Sequence, residues 1–402
     1  MITSVLFVGA RRTEALKAAR TTGLRVLFLG PTTATSAQLA WCDTALLLSE
    51  FNPEAALQAA IGLHQLSPFD LAWTNSDSYL EAAARINEKL GLRSNSVLTV
   101  MAVNNKATMR EVLRDTAVAP VRSAPVRSIQ DLRAFAETAG FPVILKPTQG
   151  SGSRDIHSLA GPDDVEAVAS QVELADSDAA DWTVEEFLTG REFSVETHST
   201  DGQHHVLAVT EKFTTGNFVE IGHVVPARVT AAEHAALSAE VKTVLTALGV
   251  LQGPCHTEVI LTDAGPRLVE THTRPGGDAI VELVRLTTGI DMNQLNFSSL
   301  TGEPTDMERQ PSAGAAAIWF HPGRPGKVTA VAGVEEAKAL DGVEEAVLMT
   351  KVGDVVGPLR SSGDRVAYTL ATGDDADSAL DRAQTALATI AVDIEPENSG
   401  EQ

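Results

Sequence analysis

HTEVILTDAGPRLVETHTR, residues 256–274, is the stretch from which the rest of the chain is read. Two runs of alternating apolar and polar residues flank Asp263-Ala264-Gly265, which suits a three-residue hairpin loop with its glycine in the left-handed conformation. Pairing about that loop sets Glu258 opposite Glu270, and period-two alternation carries His272 and Arg274 to the same face. Two carboxylates directly across a strand pair repel and weaken the sheet. A hard divalent cation between them reverses that sign, because Mg²⁺ is typically held by one or two carboxylates with phosphate oxygens completing its shell. The alternative is a solvated charged face. Val259, Leu261 and Leu268, beside the crowded His272 and Arg274, weigh against it.

Working outward, the apolar strand VILK ends in Lys146 and opens into Gly150-Ser151-Gly152-Ser153. Glycines let backbone N–H groups approach a phosphate, and a lysine adds a point charge. The lysine precedes the glycines, so this is not a Walker A loop. Gly-Ser turns also occur in plain loops, and the segment alone leaves both readings open. NNKATMREVLRDT begins a helix with Asn104 or Asn105 as its N-cap. Lys106 and Arg110 stand one turn apart on it, which in isolation describes a solvated basic helix face. In VEEFLTGREFSVE (184–196), a strand crosses an LTG turn into a second strand with Glu192, Ser194 and Glu196 on one side. Such a backbone can offer C=O and N–H groups to an adenine edge, and a carboxylate can hold ribose hydroxyls. By itself the segment is an ordinary half-buried hairpin.

The chain's 402 residues exceed one ordinary core, so two to three packed units are expected. A net charge of -22 argues against nucleic acid and anionic membrane as partners. Cys42 and Cys255 are far apart and lack a metal-ligand spacing, which fits a reducing compartment. No stretch approaches the roughly 20 apolar residues of a membrane span, and MITSVLFVGARR is a strand rather than a signal peptide. These features place the protein in the cytoplasm. Residues 1–100 alternate SVLFVGA, RVLFLG, TALLLS and FDLAWTN with helical stretches, the pattern of parallel strands with crossover helices. Gly9-Ala10-Arg11-Arg12 lacks the further glycines of a dinucleotide fingerprint, which argues against a dehydrogenase.

In this order the motifs resemble the ATP-grasp superfamily: an N-terminal α/β unit followed by a two-part nucleotide clamp. FVEIGHVVPA (218–227), ETHTRPGGDAIVELV (270–284) and residues 311–373 are similar to the L-amino-acid ligases, the dipeptide-forming group related to the bacilysin-pathway ligase. The resemblance implies a three-domain fold of α/β and α+β classes. A Rossmann-like domain would span 1–103, the ATP-grasp clamp 104–308, and a small C-terminal α+β domain 309–402. It also implies an ATP-dependent carboxylate–amine ligase that joins two amino acids through an acyl phosphate. The rivals are an ATP-grasp ligase or carboxylase acting on another carboxylate, and an ATP-binding protein without catalysis. Small-molecule substrates are implied, and families of this kind commonly form homodimers.

Carried onto this sequence, the resemblance gives Lys106 and Lys146 to the ATP phosphates and closes the loop Gly150, Ser151, Gly152 and Ser153 over them. Glu185, Glu186, Phe187 and Leu188 would form the adenine hinge, and Glu192 would hold the ribose. Glu258 and Glu270 would ligate Mg²⁺, with Mn²⁺ as a substitute. Arg274 would stabilise the acyl phosphate and the oxyanion of its collapse. Glu220 and His223 would engage the first amino acid, Glu220 through the ammonium group. His272 departs from the asparagine that many ATP-grasp enzymes use as a metal ligand; an imidazole suits Mg²⁺ poorly, so packing or substrate contact is expected of it. Lys212, near residues 213–217, would reach the γ-phosphate. His204 and His205 flank the DGQ turn and are expected to be exposed, as are His321 and Arg324.

Overall fold

The computed structural model describes residues 1–10, 13–150, 152–172, 174, 181–302 and 312–396. Ser4–Val8, an apolar run buried along its whole length, lies between Arg25–Pro31 and Leu71–Trp73 in a parallel sheet, with Thr44–Leu48 beyond Arg25–Pro31. Helices Thr13–Thr21 and Pro53–Leu66 provide crossovers, helix Asp77–Leu90 packs on the sheet after its last strand, and strands so covered read as continuous apolar runs. One face packs Phe7 and Phe28 against Phe297, which comes from the much later helix Met292–Thr301. The Phe297 ring lies 5.7 Å from Phe7 and 5.2 Å from Trp73, so this unit is docked through aromatic contacts onto the rest.

A small antiparallel sheet follows, in the order Ser123–Val126, Trp182–Glu186, Val143–Pro147, His157–Leu159. Helices Ile129–Ala139 and Pro162–Gln171 bury one face of it around Leu132, Leu145 and Val184. A larger antiparallel sheet of eight strands carries the hairpin at one edge: Gly265–His272, Gly253–Thr262, Arg191–Thr200, Gln203–Thr214 and Glu220–Val225. Helix Ala231–Ala247 covers this sheet with Leu237, Val241 and Val244.

The hairpin reaches its expected pairing by a different route. Thr262 pairs with Gly265, so the turn is the two residues Asp263-Ala264 rather than three. A bulge then leaves Val269 unmatched, with Val259 opposite Leu268 and Glu258 opposite Glu270. The two one-residue changes cancel, and the carboxylates face each other as alternation requires. His204 is a correction. It is buried, with Nδ1 2.8 Å from Ser199 Oγ, because strand alternation turns it to the covered face; His205 is exposed.

The last unit continues the large sheet. Ala315–His321 pairs with Glu220–Val225, and Ala367–Gly373 and Val343–Leu348 follow. Helix Ala376–Thr389 packs on them through Ala315, Ala317, Ala371, Ala379 and Ala383, small residues that allow a close approach. The boundary expected at 308/309 lies outside the described residues. Among the described residues no helix is long and apolar enough to cross a membrane. Gly222 pairs with Trp319 where the two halves of the sheet join, and a Cβ there would stand 2.2 Å from the indole. Gly222→Ala is expected to destabilise the fold by about 1–3 kcal/mol through overpacking, read from the midpoint of urea denaturation.

Candidate active site

A cavity of about 890 Å³ opens where the N-terminal unit, the small sheet and the large sheet meet. Lys106, Lys146, Gly150, Gly152, Ser153, Glu185, Glu186, Phe187, Leu188, Glu192, Glu220, His223, Glu258, Glu270 and Arg274 all line it. Ser151 lies outside the described residues.

The nucleotide-side wall is built on a buried ion triad. Arg110 donates from Nε and Nη2 to the two oxygens of Glu185, each at 2.9 Å, and Lys146 Nζ lies 2.8 Å from Glu185 Oε2. Arg110 Nη2 also donates to the carbonyls of Leu268 and Val269 on the hairpin. It is therefore buried structural wiring rather than part of a solvated basic face, because helix Lys106–Leu113 packs between the two sheets. Burial raises the Glu185 carboxyl, but Arg110 and Lys146 outweigh it and bring it down to about 2. Burial also pushes the Lys146 ammonium below the ordinary lysine value, against the pull of Glu185. Glu186 turns the other way, accepting from the backbone N–H and Nε of Arg122 at 2.8 Å. With both carboxylates engaged sideways, the hinge presents backbone and the Phe187 ring, which sits 6.3 Å from Phe218.

Glu258 and Glu270 hold the centre. Lys212 Nζ, buried, lies 2.6 Å from Glu258, 3.1 Å from Glu192 and 3.5 Å from Glu220. Lys106 Nζ lies 2.7 Å from Glu270. Burial works against both lysines, yet these carboxylates hold both ammonium groups above the ordinary value. Glu192 goes the other way: burial and its acidic neighbours raise it despite Lys212. Lys212 is thus the cation at the hub. Among the described residues no three His, Cys, Asp or Glu side chains converge on a metal position. Two opposed, half-buried carboxylates nonetheless fit a hard divalent cation whose remaining ligands are phosphate oxygens and water.

Arg274 is fixed by a residue of the N-terminal unit. Its Nε and Nη2 donate to the Asp77 carboxylate at 2.6 and 2.7 Å, and Nη1 donates to Pro275 O. Asp77 follows strand Leu71–Trp73, and the C-terminal ends of parallel strands are where open α/β sheets place ligand-facing groups. That position was its signal in the sequence. His272 lies 3.0 Å from Glu270 and 3.3 Å from Asp77, packed among side chains as expected.

The last unit reaches the cavity through residues that the sequence did not single out. His321 accepts from Gly323 N–H, and Arg324 donates to Ile394 O; neither lines the cavity. Arg365 does. It binds both oxygens of Asp278 at 2.8 and 2.7 Å and stacks 3.7 Å above the Phe320 ring. Ser362 Oγ and Ser153 Oγ both donate to Glu220 Oε2, at 2.7 and 3.2 Å, and Ser362 N–H donates to Gly152 O. Gly152 adopts φ +73, which favours glycine, and so the loop is held against the last unit. No periodic pattern in DRVAYTLATG marks Arg365, since its partner lies 87 residues away.

Two family descriptions match the chain: an ATP-grasp domain over residues 139–282 and the L-amino acid ligase C-terminal domain 2 over 318–395. The chain thus carries an ATP-grasp domain over residues 139–282. Relatives that it resembles are named as ligases. It is 22% identical over 331 residues to an L-arginine-specific L-amino acid ligase of Bacillus subtilis, covering 80% of each chain. Over 277 residues it is 24% identical to the alanine–anticapsin ligase of Bacillus subtilis (strain 168), covering 63% of this chain but 59% of that relative. The crystal structure of an L-amino acid ligase from Bacillus licheniformis superposes with a TM-score of 0.84 at 22% identity, covering 98% and 99% of the two chains. The ATP-grasp match over 139–282 takes in strands of both the small and the large sheet.

Removing Arg110 leaves Glu185 buried with only Lys146. Arg110→Met is expected to cost about 3–5 kcal/mol at neutral pH. Because Glu185 is depressed in the folded state, its contribution is present above the unfolded value of 4.5 and is lost as pH falls through about 2. The gap between wild type and variant should therefore narrow as urea denaturation is repeated from pH 7 down to pH 3.

Proposed function

We propose that this ligase joins the carboxylate of one amino acid to the amine of a second, activating the first as an acyl phosphate at the expense of ATP. The observation that carries this reading is the convergence of Lys106, Lys146, the opposed Glu258 and Glu270, and Arg274 on one cavity closed by a glycine loop. A carboxylate is a poor electrophile because oxide is a poor leaving group; a phosphate is a good one. In the first step an oxygen of the substrate carboxylate bonds to the γ-phosphorus, and the bond from that phosphorus to ADP breaks. In the second the amine nitrogen bonds to the carbonyl carbon, the carbon–oxygen bond to phosphate breaks, and the nitrogen sheds a proton.

Lys106 and Lys146 bind the phosphates, and Glu258 and Glu270 hold Mg²⁺, for which Mn²⁺ substitutes. When bound, the metal offsets charge on the transferred phosphoryl group. Arg274 uses the N–H groups that Asp77 and Pro275 leave free to stabilise the acyl phosphate and the tetrahedral oxyanion. Glu192 takes the ribose and the backbone of residues 185–188 the adenine. Glu220 takes the ammonium of the first amino acid. His223 belongs to the same wall, and its buried Nδ1 has no hydrogen-bond partner among the described residues. Ser153 and Gly152 exclude water, without which the activated carboxyl would hydrolyse. Free Cys42 and Cys255 and the need for ATP fit the cytoplasm.

The test is phosphate release from ATP and Mg²⁺ over single and paired amino acids. Release should require particular amino acids, yield ADP and fall by on the order of 10²–10³-fold in Glu270→Ala and in Arg274→Ala. Release that ignores amino acids, or none with any pair, overturns the reading.

A further inference from the structure

The opposed carboxylates do not stand on their strands unaided. His256, two residues before Glu258 on the same face, places Nε2 3.2 Å from Glu258 Oε1 and Nδ1 3.0 Å from both oxygens of Glu196. Glu196 is the register partner of His256 on the next strand. It is fully buried, accepting from Ser194 Oγ at 2.6 Å and Thr210 Oγ1 at 3.4 Å. Across the hairpin the arrangement repeats. His272 is the register partner of His256, with ring centroids 6.4 Å apart and planes inclined by 21°. Its Nε2 lies 3.0 Å from Glu270 Oε1, while its Nδ1, 3.3 Å from Asp77 Oδ1, is within ion-pair reach of that carboxylate but makes no hydrogen bond among the described residues, so this arm is the looser of the two. Two carboxylate–imidazole–carboxylate chains therefore run outward from the pair, one ending inside the large sheet and the other on the N-terminal unit.

We propose that His256 and His272 are positioning residues that hold Glu258 and Glu270 in the metal-accepting rotamers, with Glu196 and Asp77 as their fixed anchors. The inference rests on the reading of Glu258 and Glu270 as metal ligands. A glutamate on a strand has several rotatable bonds, and Lys212 and Lys106 draw these two towards opposite walls. A rigid ring between a ligand carboxylate and a buried one removes that freedom, much as outer-shell carboxylates fix metal-bound histidines. The two chains also differ. The Glu196 chain is internal to the sheet and stays with it. The Asp77 chain crosses between units and shares Asp77 with Arg274, so the seating of the N-terminal unit sets Glu270 and Arg274 together.

The experiment titrates Mn²⁺ into the full chain with saturating ADP, followed by electron paramagnetic resonance, and separately measures ATP binding in EDTA. His256→Ala, His272→Ala and the near-isosteric Glu196→Gln should each weaken Mn²⁺ binding by about 10–100-fold, while metal-free ATP binding stays within about twofold of wild type. The unchanged ATP affinity shows that the site is still folded, and Glu196→Gln serves where an alanine variant does not fold. Wild-type Mn²⁺ affinity in the histidine and Glu196 variants, with binding lost in Glu258→Ala and Glu270→Ala, overturns the positioning role alone. Wild-type affinity in Glu258→Ala and Glu270→Ala overturns the ligand assignment on which it rests.

Discussion

The site depends on one constraint: two glutamates are driven against each other on adjacent strands, out of bulk water. Like charges so placed cost free energy unless they are compensated, and each ion moved out of water carries a penalty of several kcal/mol unless it is paired. The surroundings of Glu258 and Glu270 answer that requirement. Lys212 comes from the strand beyond Arg191–Thr200, Lys106 from the helix between the sheets, and His256 and His272 from the hairpin itself. A second buried carboxylate, Glu185, is met in the same way by Arg110 and Lys146. Cations and anions alternate across the cavity wall, and each is held by residues from more than one element.

Such a wall stores nothing useful for stability by itself, since buried ion pairs repay their desolvation only with good geometry. What it supplies is orientation. Arg110 ties the small sheet to the hairpin by bonding Glu185 and the carbonyls of Leu268 and Val269 at once. Asp77 ties the N-terminal unit to the hairpin through Arg274 and His272. The groups assigned to phosphate, metal and acyl transfer thus keep their spacing although they come from distant parts of the chain. Preorganisation of this kind is what electrostatic stabilisation of a developing charge requires.

The last unit closes the arrangement from the other side. Its strands extend the large sheet past Glu220–Val225, which brings Ser362 and Arg365 over the pocket. Glu220 then receives a hydroxyl from the glycine loop and another from this unit on one oxygen. Loop, substrate wall and last unit are joined at a single carboxylate. Phe320, Tyr368 and Met349 line the pocket on this side together with Asp278 and Arg365.

Local physics made the centre of the site legible in the sequence. Period-two alternation about a short turn was enough to oppose Glu258 and Glu270, and it tolerated an error in the turn because a bulge restored the register. The same alternation extended one step back would have reached His256, opposite His272. Strand–helix alternation identified the N-terminal sheet, whereas the glycines after Lys146 left the loop's role open. Other features were decided only by tertiary structure. Arg110 on an isolated helix is a solvated cation; only the packing of that helix between two sheets desolvates it and forces a bidentate partner on it. Asp77 and Arg274 are 197 residues apart, and Arg365 and Asp278 are 87 apart, so no spacing rule links them. Short-range order sets which side chains share a strand face, because the pleat repeats every two residues. Which charges must find one another is set when the units close and water leaves, and that is a property of the assembled fold.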